Sequence, residues 1–168
     1  MAAGKTYEPI ATSTLSSSQA TITFNSISGS YTDLILVTMT KAVSGTSGLR
    51  IRFNSDSGAN YGNTYVYGTG STLGSVADSG TGTSIVLCYG ATMDSTNFLI
   101  STSHIMNYSN ATTFKTVISR DGDGGEGVDF HVGQRRSTSA ITRIDLLSTS
   151  GTSFATGSTF TLYGIAAA

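Results

Sequence analysis

Residues 128 to 133 read Val-Asp-Phe-His-Val-Gly, so that apolar and polar side chains alternate along the segment. Successive side chains of a β-strand point to opposite faces, and this alternation therefore predicts a half-buried strand. We expect Phe130 and Val132 to face the core, and Asp129 and His131 to face water. A shift of one residue would bury the two polar side chains instead, so we expect the register to be well specified.

The same period of two recurs on both sides of this segment. Ile22 and Phe24 alternate with threonines, and Ile51 and Phe53 alternate with arginines. Residues 34 to 37 are all apolar, which predicts a central strand that is covered on both faces. Further strands are predicted at residues 7–12, 84–89, 98–106, 114–119, 140–147 and 159–165, separated by turns rich in glycine and serine.

These segments together predict an all-β fold, namely an antiparallel β-sandwich that is jelly-roll-like and has roughly ten short strands. Helical periodicity is missing from the sequence, and its many Ser, Thr and Gly residues are weak helix formers. The side chains expected to face inward are Ile22, Phe24, Ile51, Phe53, Phe130, Val132, Ile144, Leu146, Phe160 and Leu162.

The length of 168 residues suits one domain, and we assign residues 1–168 to a single β-sandwich domain. Residues 1–6 are expected to form an N-terminal arm. Residues 54–82 combine tyrosines with many glycines, which is typical of an ordered surface loop or of an excursion that faces a partner.

The composition limits the partners of the chain. Charged residues make up 11% of the sequence, well below the roughly 25% of an average domain, and a surface of such low charge tolerates packing against other protein. The net charge is −1 and the basic residues are scattered, so nucleic acid is not an expected partner. Neither a signal peptide nor an apolar run of roughly 20 residues is visible, so no membrane contact is expected.

Few residues are suited to chemistry. Cys88 is the only cysteine, and its apolar neighbours predict a small buried side chain. His104 and His131 lie in predicted strands outside any ligand motif, and we expect both to be hydrogen-bonded or solvent-facing. We therefore predict no catalytic, cofactor-binding or metal-binding residues and no cofactor.

Four acidic residues lie between positions 121 and 129, in a segment rich in glycine. Residues 124–129 match one copy of a calcium-binding nonapeptide, but such motifs bind calcium by stacking many copies. The spacing also fails an EF-hand, because the twelfth position counted from Asp121 is Val132 and not Glu. We favour a structural hairpin over a hard-cation site.

Arg135 and Arg136 are adjacent and would point to opposite faces of a strand. This arrangement favours solvated or interface arginines over a pocket that binds an anion.

Several segments, taken in series, carry a family resemblance that covers nearly the whole chain. The chain resembles short virion structural proteins of tailed phages, especially those of cyanobacterial and other aquatic hosts. It departs from the common form of that family at Arg135 and Arg136, where an aromatic residue often stands. The matching segments are Ile-Ala-Thr-Ser-Thr-Leu at 10–15, Ala-Thr-Ile-Thr-Phe at 20–24, Ser-Tyr-Thr-Asp-Leu-Ile-Leu-Val at 30–37, Leu-Arg-Ile-Arg-Phe-Asn at 49–54, Ile-Met-Asn-Tyr-Ser at 105–109, Arg-Ser-Thr-Ser-Ala-Ile-Thr at 136–142 and Gly-Ser-Thr-Phe-Thr-Leu-Tyr-Gly-Ile at 157–165.

The resemblance implies a virion component, and we favour a capsid decoration (cement) protein that binds and stabilises the outer shell. Its implied partners are further copies of itself, as a homo-oligomer with a trimer favoured, and the major capsid protein. The predicted strands fill the chain without a shaft or tail-anchoring segment, which favours the outer capsid surface over the tail.

Two alternatives stay open from the sequence. The first is a tail or tail-fibre module that contacts other tail proteins or recognises a glycan on the host surface. The second is a carbohydrate-active enzyme on a jelly-roll scaffold. The second is disfavoured because the acidic residues fall mainly in turns and because Trp, the usual residue for stacking on sugars, is absent.

Overall fold

A computed structural model describes residues 6–78, 80–125 and 127–166. Within these residues the secondary structure consists of strands without any helix, which confirms the all-β prediction. Among them, accordingly, no helix is long and apolar enough to span a membrane. The twelve strands are β1 (Tyr7–Thr14), β2 (Thr21–Phe24), β3 (Asp33–Thr40), β4 (Leu49–Phe53), β5 (Tyr61–Thr69), β6 (Leu73–Ala77), β7 (Ile85–Val86), β8 (Leu99–Met106), β9 (Lys115–Asp123), β10 (Gly127–Arg135), β11 (Ile144–Ser148) and β12 (Thr159–Ile165).

The strands form two sheets in which all neighbouring strands are antiparallel. The large sheet has the order β1-β12-β3-β8-β9-β10-β5-β6, and the small sheet has the order β2-β11-β4-β7. Side chains from both sheets share one core, so the predicted β-sandwich is confirmed. A plain jelly roll has eight strands in two sheets, whereas this chain divides twelve strands into eight and four. The jelly-roll part of the fold assignment stays a prediction.

The core lies between the sheets and contains most of the side chains that the alternation predicts. Phe154 and Phe160 pack edge to face there, with ring centroids 5.0 Å apart. Burial of apolar side chains in such a core is the main source of stability in a domain of this size. Eight of the ten predicted side chains are buried: Ile22, Phe24, Ile51, Phe53, Ile144, Leu146, Phe160 and Leu162.

The predicted orientation of β10 is wrong. Phe130 and Val132 are 47% and 39% exposed, whereas Asp129 and His131 are 7% and 1% exposed. The strand therefore directs its polar side chains into the sandwich and its apolar side chains outward.

Two contacts fix this orientation. The Asp129 carboxylate accepts hydrogen bonds from the backbone N–H groups of Tyr89 and Ala91, in the loop after β7 that packs on the inner side of β10. The Ala91 N–H would otherwise be buried without a partner. Gly133 also faces inward, because a Cβ atom there would lie 2.2 Å from the Ile85 side chain.

The expectation that residues 34–37 are covered on both faces is also wrong. Leu34 and Leu36 are fully buried between the sheets, but Val37 and Met39 are 37% and 39% exposed. The described part of the chain covers only one face of the large sheet. Its other face is open to solvent.

Within the predicted excursion, β5 and β6 pair as a hairpin at one edge of the large sheet. Tyr61 anchors the hairpin in the core, where its hydroxyl accepts a hydrogen bond from the Phe53 N–H at 3.1 Å. Of the predicted N-terminal arm, residues 1–5 lie outside the described residues.

Candidate interaction face and buried polar cluster

The outer side of the large sheet carries an unusual number of exposed apolar side chains. Their exposures range from 37% for Val37 to 90% for Leu73. We call this surface the outer apolar face, and it consists of Val37, Met39, Val66, Leu73, Ile100, Val128, Phe130 and Val132.

The strand registers make this face continuous. Phe130 lies opposite Val66, and Val128 lies opposite Gly68, which in turn lies opposite Leu73. The groove between these side chains has a volume of about 610 Å³. One row of neighbours crosses six strands in the order Met39, Ile100, Gly122, Val128, Gly68 and Leu73.

Little charge interrupts this face. Within the described residues of β3, β5, β6, β8, β9 and β10, charged groups on the outer side are confined to Arg120 and to the pair Asp33 and His104. The His104 Nε2 atom lies 2.9 Å from Asp33 Oδ2, so this pair is satisfied within the chain. Contiguous apolar patches of several hundred Å² are uncommon on monomers and mark surfaces that bind other molecules.

A second feature lies on the inner side of the same sheet. Asp121 on β9 and Asp129 on β10 are direct cross-strand partners, and His131 shares the inner face two residues further along β10. One ligand-type atom from each of the three side chains lies within 4.8 Å of the other two. We call this group the buried polar cluster.

Backbone donors hold Asp129 in position. Its Oδ2 atom accepts hydrogen bonds from the backbone N–H groups of Tyr89 at 2.6 Å, Gly90 at 2.8 Å and Ala91 at 3.0 Å. Burial by itself would raise the pKa of Asp129, but the nearby His131 and these N–H donors hold it below its usual value. Asp129 is therefore ionised at neutral pH.

Asp121 has the opposite surroundings. Among the described residues, no donor group hydrogen-bonds either of its carboxylate oxygens. Burial, together with the negative charges of Asp129 and Asp123, raises the pKa of Asp121 to about 9. At neutral pH Asp121 is therefore protonated, and its O–H is available to Asp129.

His131 is buried without a hydrogen bond, which contradicts the expectation that it is hydrogen-bonded or solvent-facing. Neither ring nitrogen has a hydrogen-bond partner among the described residues, and Nε2 lies 3.6 Å from Asp129 Oδ2. Its ring stacks on Tyr65, with centroids 4.4 Å apart and planes 21° apart. Tyr89 packs on Tyr65 at 5.1 Å and completes an aromatic cover over the histidine.

Asp123, in the same segment, holds the hairpin between β9 and β10. Asp123 accepts backbone N–H groups from Thr92 at 2.8 Å, Gly125 at 2.8 Å and Gly127 at 3.1 Å. The expected structural hairpin is present, and Glu126 lies outside the described residues.

Cys88 is fully buried, as expected. Burial is the main cause that raises the pKa of its thiol well above the usual value, and the negative charge of Asp121 is the next cause. A thiol in this state is a poor nucleophile.

Arg136 is exposed just beyond the end of β10, but Arg135 is buried and not solvated. It is 4% exposed, its Nη1 donates to the Ser139 carbonyl at 3.2 Å, and its Nη2 lies 3.8 Å from Asp56 Oδ2. Its role is to connect the end of β10 to the neighbouring loops.

The sequence reasoning missed both the outer apolar face and the buried polar cluster, because it placed the apolar side of β10 inward. The inward glycines of this strand, Gly127 and Gly133, were the available signal, since each leaves room for a neighbouring element.

A search of known proteins returns no family model, curated protein or solved structure that matches this chain.

Proposed function

We propose that this chain is a structural protein of a tailed-phage particle, specifically a capsid decoration protein that acts by docking and not by catalysis. The observation that carries the proposal is the outer apolar face, which a freely diffusing monomer would leave in water. The family resemblance supplies the kind of particle. The proposal places the chain on the outer surface of the capsid, with the major capsid protein as its second partner.

The occupant that we propose for the outer apolar face is a second copy of this chain. The exposed parts of its eight side chains amount to on the order of 700 Å², close to the roughly 800 Å² that each partner contributes to a standard interface. The face is therefore large enough for a stable contact between two chains.

Charge supports the same occupant. The net charge of −1 gives little repulsion between copies, and the outer apolar face itself carries almost no charged groups. An apolar surface is complementary to another copy of itself, which is the requirement for a symmetric contact. A contact of this face with itself is two-fold and gives a dimer, whereas the trimer that the resemblance favours would join two different patches of each chain.

Removing the chain from the particle tests the proposed function. We expect particles without it to lose their genome at a lower temperature, because many weak contacts on one shell add up through effective concentration. The measurement is genome release against temperature, on particles with the chain, without it, and with purified chain added back. Unchanged heat stability together with failed adsorption to host cells would refute the proposal and favour the tail module.

A further inference from the structure

We propose that Asp121, Asp129 and His131 form a binding site for a divalent first-row transition metal ion, for which Zn²⁺ is the probe. This inference is independent of the proposed function. It rests on the geometry of the buried polar cluster and on its missing hydrogen-bond partners.

The sheet register places the three ligands. Asp121 and Asp129 face each other across neighbouring strands, and His131 follows on the same side, so no loop has to rearrange to bring them together. Their ligand atoms lie within 4.8 Å of one another. Zn²⁺ binds carboxylate oxygen and imidazole nitrogen at roughly 2.0–2.2 Å, which puts two ligands of one ion about 3–3.5 Å apart. An approach of at most about 1–2 Å between these ligand atoms would close the site.

The missing partners point to a cation. His131 is 1% exposed, and neither of its ring nitrogens is hydrogen-bonded among the described residues. The two Asp121 oxygens accept no hydrogen bond from any described residue, so without a metal their partner is the proton shared with Asp129. Buried polar atoms almost always have partners, so an unpaired imidazole aimed at two carboxylates indicates a group that all three would bind. A divalent ion satisfies the imidazole nitrogen and balances both carboxylates.

The surroundings resemble the supporting contacts of metal sites. Backbone N–H groups orient Asp129, and its Oδ1 atom accepts only one of them, from Gly90 at 3.0 Å. Stacking on Tyr65 fixes the His131 ring. Such outer contacts hold ligands in the geometry that a metal requires. A surface cleft of about 380 Å³ borders the aromatic cover formed by Tyr65 and Tyr89.

The donor set selects the type of ion. Calcium and magnesium prefer oxygen ligands only, whereas imidazole with carboxylates suits zinc and its neighbours in the first transition row. The site shares Asp129 with the calcium motif at residues 124–129 but adds an imidazole ligand, and calcium serves as the negative control.

The test is metal binding by the full chain after removal of metals with EDTA. We expect one Zn²⁺ per chain by calorimetry and by elemental analysis of dialysed protein, and a rise in melting temperature that Ca²⁺ does not reproduce. Co²⁺ at the same site should give visible absorption bands that Zn²⁺ removes. A wild-type chain that binds no stoichiometric Zn²⁺, or that responds equally to Ca²⁺, would overturn the proposal and leave a shared proton between the two aspartates.

Variants locate the site. Asp121→Asn and His131→Gln should each weaken zinc binding at least about tenfold. His104→Gln is the matched control, because it removes the other of the two histidines and should leave binding unchanged. Asp121→Asn keeps the shape of the protonated carboxyl and is expected to fold, which a circular dichroism spectrum checks. Equal zinc loss in His104→Gln and His131→Gln would place the ion elsewhere and refute the site.

Discussion

At the scale of single residues, Asp121 and Asp145 have pKa values that are shifted in opposite directions. The Asp121 pKa is about 9 in the folded chain, against 3.8 for an unperturbed group. Between these values the folded state keeps a proton that the unfolded state releases, so the free energy of unfolding falls as pH rises. The negative charges that raise the Asp121 pKa are those of Asp129 and Asp123, and the imidazole of His131 lies in the same cluster.

Replacing Asp121 by Asn should therefore stabilise the chain when EDTA is present. The amide is a neutral group of similar shape and still has a donor for Asp129. The gain over wild type should grow with pH, by up to about 1.4 kcal/mol per pH unit between pH 5 and 8. Urea unfolding across this range measures it. A gain that does not change with pH would mean that Asp121 is ionised in the folded chain.

Asp145 shows the reverse behaviour. Burial by itself would raise its pKa, but the Arg143 guanidinium at 2.7–2.9 Å and the Thr23 hydroxyl at 2.7 Å hold the pKa below its usual value. This stabilisation is present above the unfolded pKa of 3.8 and is lost as pH falls below it.

Asp145→Asn should lower the free energy of unfolding by about 1–2 kcal/mol at pH 7. The loss is smaller than for a fully buried ion pair because the Arg143 side chain is 40% exposed. The difference from wild type should shrink below pH 4, where the carboxyl of wild type becomes protonated. Urea unfolding at pH 3, 5 and 7 measures the trend. A cost that persists unchanged at pH 3 would show that shape, and not charge, is responsible.

At the scale of strands, the reversed face of β10 changes the expected effect of truncating its side chains. Phe130→Ala should lower the free energy of unfolding by less than about 1.5 kcal/mol, because the ring is nearly half exposed. Phe160→Ala on β12 is the matched comparison, since that ring is fully buried against Phe154 and should cost about 3–5 kcal/mol. Denaturant unfolding of monomeric protein separates the two. Equal costs would mean that Phe130 is in the core after all.

The edge strands show a limit of local pattern. β12 has the predicted bounds of 159–165, but β6 falls inside the segment predicted as a surface loop or excursion, and the predicted strand at 84–89 contracts to Ile85–Val86 in β7. β6 forms because Leu73 to Ala77 pair with β5, and not because of its own sequence. Pairing of this kind depends on the neighbour, so a window of a few residues cannot reveal it.

At the scale of the whole molecule, the proposed contact between copies through the outer apolar face predicts an effect on the state of association. Val66→Glu places a charge at its centre and should convert the oligomer to a monomer, because a buried unpaired charge costs several kcal/mol. Val43→Glu is the matched control: Val43 is 50% exposed against 53% for Val66, but lies outside this face. Light scattering coupled to size exclusion measures the mass. A monomeric wild type, or dissociation by both variants, would contradict the proposed contact.

The sequence by itself determined the fold class, most strand positions and eight of the ten core side chains, because a period of two is a local property of an extended backbone. It did not determine which face of β10 is covered. Val128, Phe130 and Val132 read as core side chains, but Asp129 is needed inside to accept N–H groups from a loop some 40 residues earlier in the chain. Only the tertiary structure brings that loop and strand together, and the same choice buries His131 and exposes the outer apolar face.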